Sequence, residues 1–79
     1  MDWRERIVTD PEILVGKPVV KGTRLSVELI LGWLAQGWTY DALLENYPQL
    51  TRDDIFAALA FAAEMMREES YIAIHQAAV

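Results

Sequence analysis

The stretch Gly16–Ser26, GKPVVKGTRLS, limits what this chain can fold into more than any other. Gly16-Lys17-Pro18 is a turn that no helix tolerates. Val19 and Val20 are β-branched and predict a short strand. Lys21-Gly22 predicts a two-residue reversal, with Gly22 free to take positive φ. Thr23, Arg24 and Leu25 are expected to return as a second strand, and Ser26 to cap a helix by accepting from a free N–H of its first turn. The residues before the stretch are short and extended, and those after it read as helix. The stretch also carries Lys17, Lys21 and Arg24 with no acidic residue among them. It is therefore expected to be both a structural clasp and a contact surface.

Around the clasp the pattern is simple. Ile7-Val8-Thr9 is an extended segment whose Ile7 and Val8 are expected to pair with Val19 and Val20. Asp10-Pro11 is expected to start one helical turn filled by Glu12, Ile13 and Leu14. A first helix is predicted over about Val27–Gln36, where Leu29, Ile30, Trp33 and Leu34 recur at helical spacing, with Gly37 as its left-handed stop. Thr39 caps a second helix over about Tyr40–Asn46, and Pro48 ends it. Thr51 opens a third, with Thr51-x-x-Asp54 as a capping box and Asp53 at the positive end of the helix dipole. Ile55, Leu59, Ala62 and Met66 form its expected apolar stripe. No Gly or Pro follows Arg52, so this helix is free to run past the domain body.

A chain of 79 residues is one small domain. Such a chain buries only about 60–65% of the surface its unfolded form exposes, so a monomer is marginal and a second subunit would help. The hydrophobic fraction of 53% fits either an apolar surface meant for a partner or an alanine-rich helical core. Cysteine is absent, which excludes disulfides and thiolate metal sites and suits a reducing cytoplasm. No apolar run reaches a membrane span, and the charged start MDWRERIVTD lacks a signal-peptide core. A cytoplasmic protein without a membrane partner is expected. The net charge of −5 is uneven: residues 1–24 carry five basic and four acidic groups, residues 25–79 two and eight. An acidic whole argues against nonspecific nucleic-acid coating but permits a local basic patch.

Three helices joined by short turns suggest a helix-turn-helix of the homeodomain-like type. In such a fold the start of the third helix reads bases, and here Arg52 stands beside Asp53 and Asp54, which a phosphate-lined groove disfavours. A two-stranded ribbon bearing Lys17, Lys21 and Arg24 is the better candidate for DNA contact, with Arg52 as a secondary one. The competing reading makes Lys17, Lys21 and Arg24 ordinary surface charges, with the stem of Arg24 packed over the helices. An enzyme is not expected: the single His75 lies in the tail, Ser26 and Thr51 are explained by capping, and Gly16 and Gly22 are not spaced as a phosphate loop. No metal or cofactor is expected. Trp3, Trp33 and Trp38 read as core or interface residues. After the polar run Glu64–Glu69 the tail turns apolar again at Tyr71, Ile72 and Ile74. These, or the strand edge at Val19–Val20, are the expected partner-binding residues.

Pro11-x-Ile13, Gly16-Lys17-Pro18-Val19-Val20-x-Gly22-Thr23-Arg24-Leu25-x-Val27, Tyr47-Pro48-x-Leu50-Thr51 and Asp54-Ile55-x-Ala57-Ala58-Leu59-x-Phe61-Ala62 resemble the bacterial domain-of-unknown-function family four hundred and thirty-three. The resemblance spans about Ile7 to Ala63. Val15 stands where a small residue is common in that family, Ser26 where proline is common, and Phe61 where tyrosine is common. The resemblance implies a homeodomain-like helix-turn-helix and a role as a VapB-type antitoxin beside a PIN-like ribonuclease toxin.

The expected protein is thus mainly α: a short N-terminal β-hairpin, then a three-helix homeodomain-like helix-turn-helix with a long last helix. The domain is placed at residues 1–66 and a helical tail at 67–79. Its expected function is that of a homodimeric antitoxin that binds operator DNA and neutralises the ribonuclease. The alternative is an interaction or oligomerisation module without DNA binding.

Overall fold

The computed structural model describes residues 2–77, with side chains described as far as Arg67. The elements are β1 (Ile7–Val8), β2 (Val19–Val20), α1 (Val27–Ala35), α2 (Tyr40–Asn46) and α3 (Arg52–Ala77), with 3-10 turns at Trp3–Glu5 and Leu14–Gly16. The protein is mainly α, with a two-stranded antiparallel sheet ahead of three helices, the last of them long.

The expected pairing of β1 with β2 is present, with Ile7 opposite Val20 and Val8 opposite Val19. The expected return strand at Thr23–Leu25 is not. Thr23 N–H donates to Val20 C=O at 3.0 Å, and Gly22 sits at φ +81°, which makes Val20–Thr23 a tight type II turn. The Thr23 hydroxyl donates to Val20 C=O at 2.8 Å and accepts from Leu25 N–H at 3.0 Å. A hydroxyl that captures backbone groups in this way competes with ladder formation. Only a single bridge, Val19 with Ser26, remains on that side.

Asp10 caps the expected turn, its carboxylate accepting from Glu12 N–H and its C=O from Ile13 N–H, each at 2.9 Å, but the chain departs from expectation at Leu14. Leu14, Val15 and Gly16 have φ of +50°, +56° and +79°, so the turn winds left-handed. Two short-range bonds hold it, Gly16 N–H to Ile13 C=O and Lys17 N–H to Leu14 C=O at 3.1 and 3.2 Å. Only glycine adopts this region without cost; a β-branched residue there is strained.

The helix ends follow the side-chain chemistry. Ser26 Oγ accepts from Leu29 N–H at 3.0 Å and Thr39 Oγ1 from Ala42 N–H at 3.1 Å. Gly37, at φ +96°, closes α1: Gly37 N–H reaches Leu34 C=O and Trp38 N–H reaches Trp33 C=O, the paired bonds of a Schellman stop. At the start of α3 the capping box closes in both directions. Asp54 N–H donates to Thr51 Oγ1 at 3.2 Å, and Thr51 N–H donates to Asp54 Oδ2 at 2.9 Å.

The core forms where α1 crosses α3. Ile30, Leu43 and Ile55 are fully buried and meet Ile7, Val20, Val27, Leu50, Ala57 and Ala58. The buried line on α3 is therefore Ile55, Ala57 and Ala58, and Met66, placed on the expected stripe, is exposed. The two alanines present no bulk, which lets α1 and the sheet approach closely. Trp3 seals one end, its ring edge-on to Phe61 at 4.9 Å and its indole N–H donating to Glu64 at 3.2 Å.

Candidate nucleic-acid interface

The clasp presents its cations unequally. Lys21 occupies the second position of the type II turn and Arg24 follows it, both exposed. Neither forms an ion pair among the described residues. Lys17 lies at the other end of β2 and pairs with Glu28 at 3.5 Å. Arg52 is held by Asp41 and lies over the Tyr40 ring, 6.0 Å from its centroid. Of the four predicted contact residues, Lys21 on the turn and Arg24 directly after it thus lie close together in the chain, while Lys17 and Arg52 are each engaged with a carboxylate elsewhere.

A fifth cation, outside the predicted set, links the clasp to α3. Arg6 precedes β1, and its carbonyl accepts from Lys21 N–H at 2.7 Å. Its guanidinium donates to Asp54 Oδ1 at 3.0 Å and to Thr51 Oγ1 at 3.4 Å, and sits 3.6 Å from Asp53 Oδ2. Arg6 and Lys21 line a polar cleft of about 340 Å³ together with Glu5 and Asp54. Both acidic residues at the start of α3 are therefore engaged: Asp54 by the cap and by Arg6, Asp53 by Arg6. The electrostatic objection to α3 near DNA is smaller than the bare sequence suggests. No local pattern marks Arg6, because its partners lie 45 to 48 residues away.

The strand edge is closed to partners. Val19 and Val20 are 0% and 2% exposed, their side chains in the chain's own core. β2 is bonded to β1 on one side. On the other, Val20 N–H donates to Leu25 C=O and Val27 N–H to Pro18 C=O, each at 3.0 Å. A partner strand cannot add at Val19–Val20, because the backbone groups it would need are already used. The other expected partner residues, Tyr71, Ile72 and Ile74, fall on the last turns of α3, and their side chains lie outside the described residues.

Trp33 and Trp38, expected in the core or an interface, pack against the core. Trp33 stacks with both Trp38 and Tyr47, with centroids 5.6 and 4.4 Å away and rings within 22° of parallel. This stack pins the end of α1 to the end of α2. An apolar groove of about 280 Å³ runs between Pro18, Val27, Leu31, Phe61 and Ala62, with Lys17 and Glu28 at its rim. Among the described residues no cluster of His, Cys, Asp or Glu could hold a metal ion. No helix among them is long and apolar enough to cross a membrane.

The profile of a protein family described as "Protein of unknown function (DUF433)" matches residues 7–62. The chain belongs to this family. An uncharacterised protein of Sinorhizobium fredii is 37% identical over 59 residues, 75% of this chain and 27% of that one. An uncharacterised protein of Archaeoglobus fulgidus is 58% identical over 24 residues, 30% of this chain and 67% of that one. The resemblance thus reaches an archaeal protein as well as bacterial ones. The crystal structure of a DUF433 member from Anabaena variabilis matches with a TM-score of 0.70 at 26% identity, over 94% of this chain and 69% of that one. The chain spans about a quarter of the Sinorhizobium relative's length. The DUF433 match takes in the clasp, α1, α2 and the buried first turns of α3. Arg6 stands immediately before it and the residues after Ala62 lie beyond it.

Proposed function

We propose that this protein binds operator DNA as a small homeodomain-like helix-turn-helix repressor of the antitoxin class, and that Lys21 on the turn and Arg24 directly after it make the principal phosphate contacts. The observation that carries the proposal is the placement of these two cations: exposed, one on a tight turn and the other directly after it, and unpaired among the described residues. In a protein of net charge −5, DNA can approach only where positive charge is concentrated and uncompensated. Arg6 supports the reading, because it holds the turn against the start of α3 and offsets the carboxylates there. Phosphates meeting the turn would then lie beside α3 rather than along it.

Autorepression and neutralisation of a PIN-like ribonuclease rest on the family resemblance; the choice of Tyr71, Ile72 and Ile74 as the residues that would grip the toxin rests instead on the apolar sequence of the tail, which lies beyond the family match. A second reading, an interaction module that binds no DNA, is favoured by the apolar groove beside Phe61. Fluorescence anisotropy with the DNA upstream of the protein's own gene separates the two. The proposal expects saturable binding there, stronger than to a scrambled duplex of the same length, and inhibition of a nuclease encoded alongside. Equal, weak affinity for both duplexes at low salt refutes the DNA reading and leaves the interaction module.

A further inference from the structure

Val15 is at odds with ordinary protein chemistry in two respects. It is β-branched yet held at φ +56°, ψ +39°, in a left-handed turn where such residues are strained. It is also 95% exposed, so no contact within the chain offsets the strain. Leu14 beside it is at φ +50° and 40% exposed. Two apolar side chains thus project from a turn that is locked by its own backbone bonds. Strain of this kind persists where the surrounding structure over-determines it, and it points to use.

The matching hollow lies next door. Lys17 N–H bonds Leu14 C=O at 3.2 Å, and Lys17 also stands at the rim of the apolar groove formed by Pro18, Val27, Leu31, Phe61 and Ala62. The protrusion and the groove are therefore adjacent. The rim carries one cation and one anion, Lys17 and Glu28, both exposed and 3.5 Å apart. A two-fold axis beside Lys17 would seat the Leu14–Val15 protrusion of each copy in the groove of the other. It would also bring Lys17 of each copy toward Glu28 of the other. Such an interface is isologous and closes on itself, as a two-fold dimer requires.

We infer that the occupant of this groove is a second copy of the same chain, docked through Leu14 and Val15. The inference replaces the closed strand edge as the dimer surface, and it stands whether or not the protein binds DNA.

Sedimentation equilibrium of the full chain over a range of concentrations tests it. The informative variant is Val15→Asn, because asparagine suits a left-handed position and removes the apolar protrusion without disturbing the turn. The wild type is expected to dimerise, and Val15→Asn to raise the dissociation constant at least tenfold. At a dilution where both proteins are monomeric, the same variant is expected to melt about 5 °C higher, since the strain is relieved. Lys17→Glu and Glu28→Lys should each weaken the dimer, and the double variant should recover most of the loss. A wild type that stays monomeric to high concentration overturns the inference. So does a dimer whose dissociation constant Val15→Asn leaves unchanged.

Discussion

Replacing Arg6 by methionine keeps the aliphatic stem and removes the guanidinium that ties β1 to α3. Three interactions go with it: the bond to Asp54 at 3.0 Å, the longer bond to Thr51 and the outer ion pair with Asp53. Asp54 is the one that decides the magnitude, because it is only 7% exposed. A hydrogen bond to a charged group contributes about 1.5–3 kcal/mol, and stranding one member of a fully buried ion pair costs about 3–5 kcal/mol. Arg6 is 37% exposed at its side chain, so solvent already screens the pair and the larger range does not apply. Asp54 also keeps its bond from Thr51 N–H when Arg6 is gone. The expected loss is therefore about 2 kcal/mol, or roughly 8–16 °C in melting temperature for a domain of this size. A double-mutant cycle with Asp54→Asn isolates the pair, since asparagine retains an oxygen to accept from Thr51 N–H. The cycle should return a coupling of about 1 kcal/mol or more, read from urea unfolding followed by circular dichroism. A coupling indistinguishable from zero would refute the claim that Arg6 fastens the clasp to α3.

Two other substitutions probe the frame that holds the site. Ile30→Ala removes a fully buried side chain at the α1–α3 crossing and should cost about 2–5 kcal/mol in urea unfolding. Gly37→Ala places a Cβ at φ +96°, where an L-residue is strained although nothing lies within 4 Å, and should lower stability by about 1–2 kcal/mol.

The legible parts of this fold were those decided within a few residues. Ser26, Thr39 and Thr51 cap their helices because a hydroxyl reaches only the next turn, and Gly37 ends α1 because positive φ is cheapest for glycine. The pairing of Ile7–Val8 with Val19–Val20 was legible from two short β-branched runs flanking a turn. The left-handed turn at Leu14–Gly16 was not, because local preference at Leu14 and Val15 opposes it. The missing strand at Thr23–Leu25 turned on one hydroxyl, whose bonds to Val20 and Leu25 depend on the closed turn. The candidate site was half legible. Lys21 and Arg24 stand out by composition, whereas the engagement of Lys17 by Glu28, of Arg52 by Asp41 and of Arg6 by Asp54 depends on packing. The same packing buries Val19 and Val20 and closes the edge that a lone hairpin would have offered.

The salt dependence of operator binding tests the central claim most directly. Each phosphate that the protein no longer neutralises should reduce the slope of log affinity against log salt by about 0.9 in magnitude. The double variant Lys21→Ala/Arg24→Ala should therefore bind more weakly than wild type, with a slope shallower by about 2, while Arg52→Ala changes the slope little. A double variant with the wild-type slope, alongside an Arg52→Ala protein that no longer binds, would contradict the account and make α3 the reading element.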